Sequence, residues 1–323
     1  MHILISSAYP LSSPKGNSIT AKRIESLLTQ TGNTAQAINT DMPPTADAMI
    51  SLHATKTLAS SKSFKVNSPN GKLIVYLTGT DLYREQTNNN PEFFEALSLA
   101  DALVVGQRAS LASIPTEFLK KSHFIPASVL LPPVDKVSPP PHPSLALIGH
   151  LRPVKNPFLM NQALEKLADI KLEAFTLGAA LEPSMLSEVQ CWQQSNPRFN
   201  WLNDVTYSKT LSWIEQVDFT LNTSHSEGGS NAVAESIALG TPVLASKIEG
   251  NVGMLGDDYL GYFEPDNVSA LAALIRRSIT DHSFHSKLLQ QIADLQQNFL
   301  PAKETAGWLK LLKQPPTELI FHR

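Results

Sequence analysis

Short apolar runs alternate with stretches of helical periodicity along most of the chain. Every position of Leu73–Leu77 is apolar, which is typical of parallel strands buried on both faces. Ser18–Thr31 instead spaces its apolar side chains for one face of a helix and is followed by Gly32, a residue common just past helix ends. Repetition of these two patterns predicts α/β architecture with doubly wound parallel sheets.

The same periodicities predict the remaining elements. Further strands are predicted at Ile3–Ser7, Ala48–His53, Ala102–Val105, Phe124–Pro126, Leu145–Gly149, Leu172–Leu177, Asp218–Asn222 and Pro242–Ser246. Further helices are predicted at Asn156–Ala168, Ser208–Gln216, Gly229–Leu239, Val268–Thr280 and Ala302–Lys313.

A proline-rich segment divides the pattern into two halves. Four of the five residues 139–143 are proline, a density that excludes a central strand or a helix interior. We therefore predict an N-terminal domain over 1–138, a linker over 139–144 and a C-terminal domain over 145–300. The segment 301–323 is expected to form a helix that packs back toward the N-terminal domain. Two such Rossmann-like domains facing each other would enclose a ligand cleft at the carboxyl ends of their strands.

Composition narrows the function classes. The chain has 323 residues, of which 42% are hydrophobic and 17% charged, with a formal net charge of −3. This balance argues against disorder and against a dedicated nucleic-acid binder. One cysteine excludes an internal disulfide and a zinc site of several thiolates. No apolar run reaches the ~18 residues of a membrane span, and the N-terminus lacks a signal-peptide pattern, so a cytoplasmic protein is expected.

The segment 224–235 carries the most informative motif. Gly228 and Gly229 allow a tight turn before a helix, whose first amides, those of residues 229–231, could face an anion. Asn231 and Glu235 share one helix face, and Glu227 and Glu235 could accept hydrogen bonds from sugar or ribose hydroxyls. Two glycines before a helix also occur in ordinary turns, so these residues alone leave a functional site and a plain turn equally open.

These residues resemble a known family. The pair Glu227 and Glu235, followed by the segment 238–246, resembles the E-x7-E signature of GT-B glycosyltransferases of family 4, and the resemblance extends over essentially the whole chain. Within that family the chain is most similar to the selenosugar synthases of the selenoneine pathway. The segments that carry this similarity are Asn17–Ala21, Leu77–Arg84, Gly149–Arg152, Glu227–Asn231 and Gly250–Tyr259.

The resemblance implies the GT-B architecture and a UDP-sugar donor, UDP-N-acetylglucosamine or UDP-glucose, bound mainly by the C-terminal domain. It assigns the catalytic positions to Arg152, Lys155 and Glu227, with Arg152 and Lys155 neutralising the leaving diphosphate. Where many relatives have an arginine, this chain has His150, so Arg152 is expected to substitute for it. The donor-binding positions are Gly16, Asn17, His150, Gly228, Gly229, Ser230, Asn231 and Glu235. No metal and no cofactor are expected.

The acceptor is assigned to the N-terminal domain. Its candidate positions are Lys15, Ser18, Arg23, His53, Thr78, Thr80, Asp81 and Arg84. Thr78 stands where many family members have a histidine, which puts a sugar-alcohol acceptor mechanism in doubt. Arg23 and Arg84 could equally be a solvated helix residue and a partner of a nearby carboxylate, and His53 could be structural. The loop 15–18 could also serve only as a helix start capped by Asn17 or Ser18.

The reaction implied is attack by the selenium of selenophosphate on the anomeric carbon, with release of UDP and phosphate. Selenophosphate is already anionic, so no strong general base is required, in keeping with the absence of an obvious one. A selenophosphate synthase and a selenoneine synthase would be functional neighbours. Three alternatives stay open: a family 4 glycosyltransferase with an alcohol, lipid or protein acceptor, a nucleotide-sugar 2-epimerase, and a non-catalytic binding module.

Overall fold

The chain folds into two compact α/β units. A computed structural model describes residues 1–13, 15–86, 88–131 and 137–314, without the side chains of Thr80, Arg84 and Glu85. The first unit comprises Met1–Ser128 together with the chain from Pro301 onward, and the second comprises Val129–Leu300. The division after Ser128 lies ahead of the proline-rich segment 139–144, which belongs to the second unit.

The first unit is built on a six-stranded parallel sheet with the strand order β2-β1-β3-β4-β5-β6. Its strands are β1 (His2–Ser6), β2 (Thr34–Ile38), β3 (Ala48–Leu52), β4 (Lys72–Leu77), β5 (Ala102–Val105) and β6 (Ser122–Phe124). Its first helices are α1 (Gly16–Thr29), α2 (Leu58–Asn67) and α3 (Pro91–Leu99), with a π-helix at Thr80–Glu85 and 3₁₀ turns at Arg108–Ser113 and Thr116–Lys121. The central strands β3 and β4 are buried along their whole length.

The second unit repeats this architecture with the strand order β12-β11-β10-β7-β8-β9, again parallel throughout. Its strands are β7 (Ser144–Ile148), β8 (Glu173–Leu177), β9 (Phe199–Asn203), β10 (Phe219–Asn222), β11 (Val243–Ser246) and β12 (Tyr262–Phe263). Its helices are α4 (Leu159–Glu165), α5 (Pro183–Ser195), α6 (Tyr207–Gln216), α7 (Asn231–Leu239), α8 (Glu249–Leu255), α9 (Val268–Thr280) and α10 (His282–Gln296). None of the helices in the described ranges is long and apolar enough to span a membrane.

The final helix, α11 (Pro301–Lys313), belongs to the first unit and packs against α1. Arg23 of α1, 8% exposed, pairs with Glu304 of α11, 1% exposed, at 3.1 Å between Nε and Oε2. The same carboxylate accepts hydrogen bonds from the backbone N–H and hydroxyl of Ser128, both at 2.6 Å, and from the indole N–H of Trp308 at 3.2 Å. Arg23 therefore holds α11 in place, and this buried structural role replaces the acceptor contact predicted from the sequence.

The fold class predicted from the sequence is confirmed: both units are doubly wound parallel α/β structures. The pattern did not predict strands β2, β9 and β12, which all lie at sheet edges. Edge strands are partly exposed, so they lack the continuous apolar run that identifies a central strand. Helix α1 begins at Gly16, two residues before the predicted start, and Lys15 rather than Asn17 or Ser18 occupies the N-cap position.

Candidate active site

The motif segment forms the loop between β10 and helix α7. Ser230 is the N-cap of α7, its hydroxyl accepting a hydrogen bond from the backbone N–H of Val233 at 3.4 Å. The helix ends at Gly240, which adopts a left-handed conformation with φ of +82°. Because Ser230 caps the helix, α7 begins at Asn231, two residues later than the apolar pattern predicted.

Buried polar side chains hold this loop from behind. Asn222 donates to the hydroxyl of Ser230 at 3.2 Å and accepts from the side chain of Asn251 at 3.2 Å. Asn251 also donates to the backbone carbonyl of Ser246 at 2.8 Å, and the Ser246 hydroxyl donates to the carbonyl of Ser224 at 2.6 Å. All five residues are less than 9% exposed, so the hydrogen bonds that fix the loop are shielded from solvent.

Two glycines of this region have contrasting surroundings. A Cβ added to Gly250, in the first turn of α8, would lie 2.0 Å from the carbonyl oxygen of Glu227. A Cβ added to Gly229 would have no atom of the described residues within 4 Å, apart from those of Gly229 and its two chain neighbours. Gly250 is therefore required for packing of α8 behind the loop, whereas the space in front of Gly229 is open for a ligand.

Glu227 and Lys155, two of the predicted catalytic residues, form an ion pair in the structure. Glu227 Oε1 accepts hydrogen bonds from Lys155 Nζ and, at 2.7 Å, from the hydroxyl of Ser224. The side chains of Lys155 and Glu227 are 21% and 10% exposed. The backbone carbonyl of Lys155 in turn accepts from the Thr223 hydroxyl at 2.7 Å. A cation and a carboxylate thus lie together at the carboxyl ends of β7 and β10.

The other predicted residues of the second unit lie on the same loops. His150 Nδ1 accepts from the backbone N–H of Ala179 at 3.2 Å, which orients its ring. Arg152 is exposed on the loop that carries Lys155, and no hydrogen bond or ion pair joins its guanidinium to the described part of the chain. Gly178 lets the two loops meet, because a Cβ there would lie 2.2 Å from the carbonyl oxygen of Gly149.

At the start of α7 the sequence prediction needs one correction. The backbone N–H of Ser230 points at the sulfur of Met254, with 3.3 Å between nitrogen and sulfur, so it does not face a ligand as expected. The amides of Asn231 and Ala232 are the remaining N–H groups of the first turn. Glu235 lies one turn further along α7 and is 6% exposed.

In the first unit, Asp81 is a structural carboxylate. It is fully buried and accepts from the backbone N–H groups of Ala54 and Thr78, both at 2.7 Å, and from the Thr78 hydroxyl at 3.0 Å. Burial raises the pKa of Asp81, an effect partly offset by His53, whose Nδ1 lies 3.9 Å from Oδ2. His53 is 2% exposed and has a φ of +89°. These residues fix the loops after β3 and β4, and do not present free side chains to an acceptor as predicted.

The start of α1 contributes one exposed candidate. The hydroxyl of Ser18 is buried and donates to the carbonyl of Pro10 at 3.0 Å, so it is not available as predicted. Gly16 and Asn17 lie in the first turn of the helix. Lys15 is exposed, and its Nζ lies 3.9 Å from the centre of the Tyr9 ring. The predicted contacts of the Thr80 and Arg84 side chains lie outside the described structure.

Sequence reasoning missed two groups of residues. The first is the network of Asn222, Ser246 and Asn251, which positions the motif loop. The second is Tyr9 with Lys56, whose ammonium group donates to the Tyr9 hydroxyl. Lys56 closely follows the predicted strand that ends at His53, and its position at the carboxyl end of a strand was a signal that could have identified it.

Comparisons with known proteins agree with this architecture. Residues 135–294 match the family model described as Glycosyl transferases group 1. Protein CapJ of Staphylococcus aureus is 35% identical over 83 residues, which is 25% of this chain and 21% of CapJ. The chain thus aligns with about a fifth of the length of that relative.

Solved structures resemble the chain over nearly its whole length. Sucrose-phosphate synthase from Thermosynechococcus elongatus superposes with a TM-score of 0.78 at 14% identity, covering 96% of this chain and 97% of that one. Anabaena HepE, solved in complex with UDP-glucose, superposes with a TM-score of 0.75 at 15% identity, covering 97% and 99%. The fold is GT-B, and the match to the family model of glycosyl transferases lies within the second unit.

Proposed function

We propose that the protein is a selenosugar synthase that transfers a sugar from a UDP-sugar to the selenium of selenophosphate. The observation that carries the donor part of this proposal is the ion pair between Lys155 and Glu227 beside the N-terminus of α7. It combines a cation for a leaving diphosphate with a carboxylate for sugar hydroxyls, on a loop fixed by buried hydrogen bonds.

The donor site uses residues of the second unit in separate roles. Lys155 and Arg152 bind the diphosphate oxygens. Lys155 acts as a point charge, whereas Arg152 donates paired hydrogen bonds from its planar guanidinium. Glu235, buried one turn into α7, accepts the ribose hydroxyls. Structures with this fold that contain UDP or UDP-glucose, such as HepE, support the choice of a uridine nucleotide. The donor sugar is N-acetylglucosamine or glucose.

The acceptor assignment rests on the resemblance of the segments Leu77–Arg84, Gly149–Arg152 and Gly250–Tyr259 to selenosugar synthases. In the proposed reaction, a selenium lone pair forms a bond to the anomeric carbon as the bond from that carbon to the diphosphate oxygen breaks, and UDP departs with the electron pair. Water then hydrolyses the phosphorus–selenium bond, giving phosphate and the selenosugar. Neither a metal nor a cofactor takes part.

The barrier is lowered by positioning and by stabilisation of the leaving group. The Lys155 ammonium, the Arg152 guanidinium and the first amides of α7 meet the charge that develops on the diphosphate. Selenophosphate needs no deprotonation, so no general base is assigned. An enzyme that makes selenophosphate and one that consumes the selenosugar would act before and after this step.

The test is an assay of the purified chain with freshly generated selenophosphate and either UDP-N-acetylglucosamine or UDP-glucose. UDP release and a selenium-containing sugar are followed by mass spectrometry. A selenosugar that requires both substrates supports the proposal. UDP binding without a selenium product would overturn the acceptor assignment, and failure to bind UDP would overturn the donor assignment as well.

Two variants tie this assay to the site. Glu235→Ala is expected to weaken UDP binding, and Arg152→Ala to lower kcat by about 100-fold, the size of one lost oxyanion-type contact. Glu264→Gln removes an exposed carboxylate of the same unit and is the matched control. Full activity in both site variants would show that the donor residues are misassigned.

A further inference from the structure

Two lysines lie against one tyrosine ring in the first unit. Lys15 Nζ is 3.9 Å and Lys56 Nζ 4.6 Å from the centre of the Tyr9 ring, and Lys56 also donates to the Tyr9 hydroxyl. Tyr9 follows β1 and Lys56 follows β3, which are neighbouring parallel strands. The cluster of Tyr9, Lys15 and Lys56 therefore lies at the carboxyl edge of the sheet, where ligands bind in this class of fold.

Both lysines are exposed, and no carboxylate of the described residues forms an ion pair with either of them. The ion pairs that the described residues form involve other lysines, namely Lys62, Lys65 and Lys155. Two like charges held at one ring repel each other, and an aromatic face compensates this repulsion only in part. An anion bound between the two ammonium groups would attract both of them and would offset their mutual repulsion.

Hydrogen bonds of buried residues fix the backbone that carries Lys56. Buried Asp81 accepts from the N–H of Ala54, and the carbonyl of His53 accepts from the N–H and hydroxyl of Thr57 at 3.2 and 2.8 Å. His53 Nδ1 faces the backbone N–H of Lys56 at 3.4 Å. The buried polar residues after β3 and β4 thus hold the Lys56 backbone beside Tyr9. Because this backbone is already ordered in the folded chain, less conformational entropy is lost when an anion binds to Lys56.

We infer that Tyr9, Lys15 and Lys56 form the binding site for a tetrahedral, phosphate-type anionic group on the acceptor. This inference rests on the proposed function for its assignment to the acceptor, and it adds Lys56 and Tyr9 to the residues expected from the sequence. Lys15 and Lys56 bind the anion oxygens as point charges, and the Tyr9 hydroxyl keeps Lys56 in reach of them. An acceptor without an anionic group gains nothing from this cluster.

Inorganic phosphate is the probe that tests the site without turnover. Calorimetric titration of the full chain is carried out at low ionic strength, with sodium chloride of matched ionic strength as the blank. Lys56→Ala is expected to weaken phosphate binding about tenfold or more, the size of one lost charge-assisted hydrogen bond. Lys56→Arg should restore most of the affinity, and Tyr9→Phe should cause a smaller loss. UDP affinity should stay unchanged in all three variants.

Lys22→Ala is the matched control, because Lys22 is an exposed lysine of α1 outside the cluster. An equal loss of phosphate binding in Lys22→Ala and Lys56→Ala would show that phosphate is attracted by the general surface charge, and this result would overturn the inference. Displacement of phosphate by UDP would assign the cluster to the donor diphosphate and overturn it too. Unchanged phosphate binding in Lys56→Ala would also overturn the inference. A failure to form the selenosugar would instead contradict the proposed function, and it would not alter the measured phosphate affinities.

Discussion

The two units present candidate residues at the same edge of similar sheets, but they hold them in different ways. In the second unit the candidates lie around one loop, which Asn222, Ser246 and Asn251 fix through buried hydrogen bonds. In the first unit Asp81 and Arg23 are buried in structural roles, and the exposed charges of Lys15 and Lys56 remain at the surface. The proposed donor loop is thus fixed by buried residues, whereas the proposed acceptor residues are a surface cluster on fixed loops.

This difference has a thermodynamic consequence. Residues in a buried network contribute to folding, so their substitution changes stability and binding together. Residues of an exposed charge cluster contribute little to folding and can change with the acceptor. Substitutions that separate stability from binding therefore test the contrast directly.

The largest effect is expected for Arg23→Met. This change leaves the Glu304 carboxylate, 1% exposed, without the guanidinium that pairs with it. Removing one partner of a buried pair costs about 3–5 kcal/mol, so the free energy of unfolding measured in urea should fall by that amount. The KM for the acceptor should stay the same once the folded fraction is taken into account. A raised acceptor KM with unchanged stability would instead restore Arg23 to the acceptor site.

The next effect is expected for Gly250→Ala. The new methyl group would meet the Glu227 carbonyl oxygen at 2.0 Å, and either the loop or α8 must move. Overpacking of this kind costs about 1–3 kcal/mol, and UDP binding should weaken with it. Gly229→Ala is the matched comparison, because its methyl group has no atom within 4 Å in the described part of the chain beyond its two sequence neighbours. It should leave the thermal midpoint unchanged while still reducing UDP affinity.

Loss of stability in both glycine variants would mean that the space in front of Gly229 is needed for folding rather than for a ligand. UDP affinity unchanged from that of the unmodified chain in both variants would mean that the loop does not form the donor site. Either result would contradict the distinction between Gly250, which is needed for packing, and Gly229, which borders the space for a ligand.

These cases show what could be predicted from the sequence. The central strands depend on short-range patterns, so periodicity predicted them. The motif at Glu227 and Glu235 was instead indicated by its resemblance to family 4 glycosyltransferases. The partner of Arg23 is Glu304, 281 residues away, and no local pattern links the two. The same holds for Lys56 and Tyr9, which are brought together by the pairing of β1 with β3. The sequence thus identified candidate residue types, and only the fold showed which are buried.

A pH-dependent effect is expected for Asp81→Asn. Burial raises the pKa of Asp81 in the folded chain above its ordinary value, so the folded state binds a proton more readily than the unfolded state. The contribution of this group to stability therefore increases as pH falls from the raised pKa toward about 3.8 and is constant below that. Asparagine does not titrate, and its amide leaves the N–H of Ala54 or Thr78 without an acceptor, at about 1–3 kcal/mol.

Urea unfolding of both proteins at several pH values between 7 and 4 measures this effect. The stability advantage of the unmodified chain over Asp81→Asn should widen as the pH is lowered through this range. Parallel curves would show that Asp81 is not the buried carboxylate that fixes the loops after β3 and β4.

The smallest effect on stability is expected for Lys56→Ala. Loss of the contact with Tyr9 is offset by relief of the repulsion between Lys56 and Lys15, so the free energy of unfolding should change by less than about 0.5 kcal/mol. High salt should shrink even this difference, because both ammonium groups are exposed. Thermal unfolding at low and high salt measures both quantities. A loss of stability as large as that of Arg23→Met would place Lys56 in the core network. The first unit would then hold its proposed acceptor residues in the same way as the second unit holds its proposed donor loop.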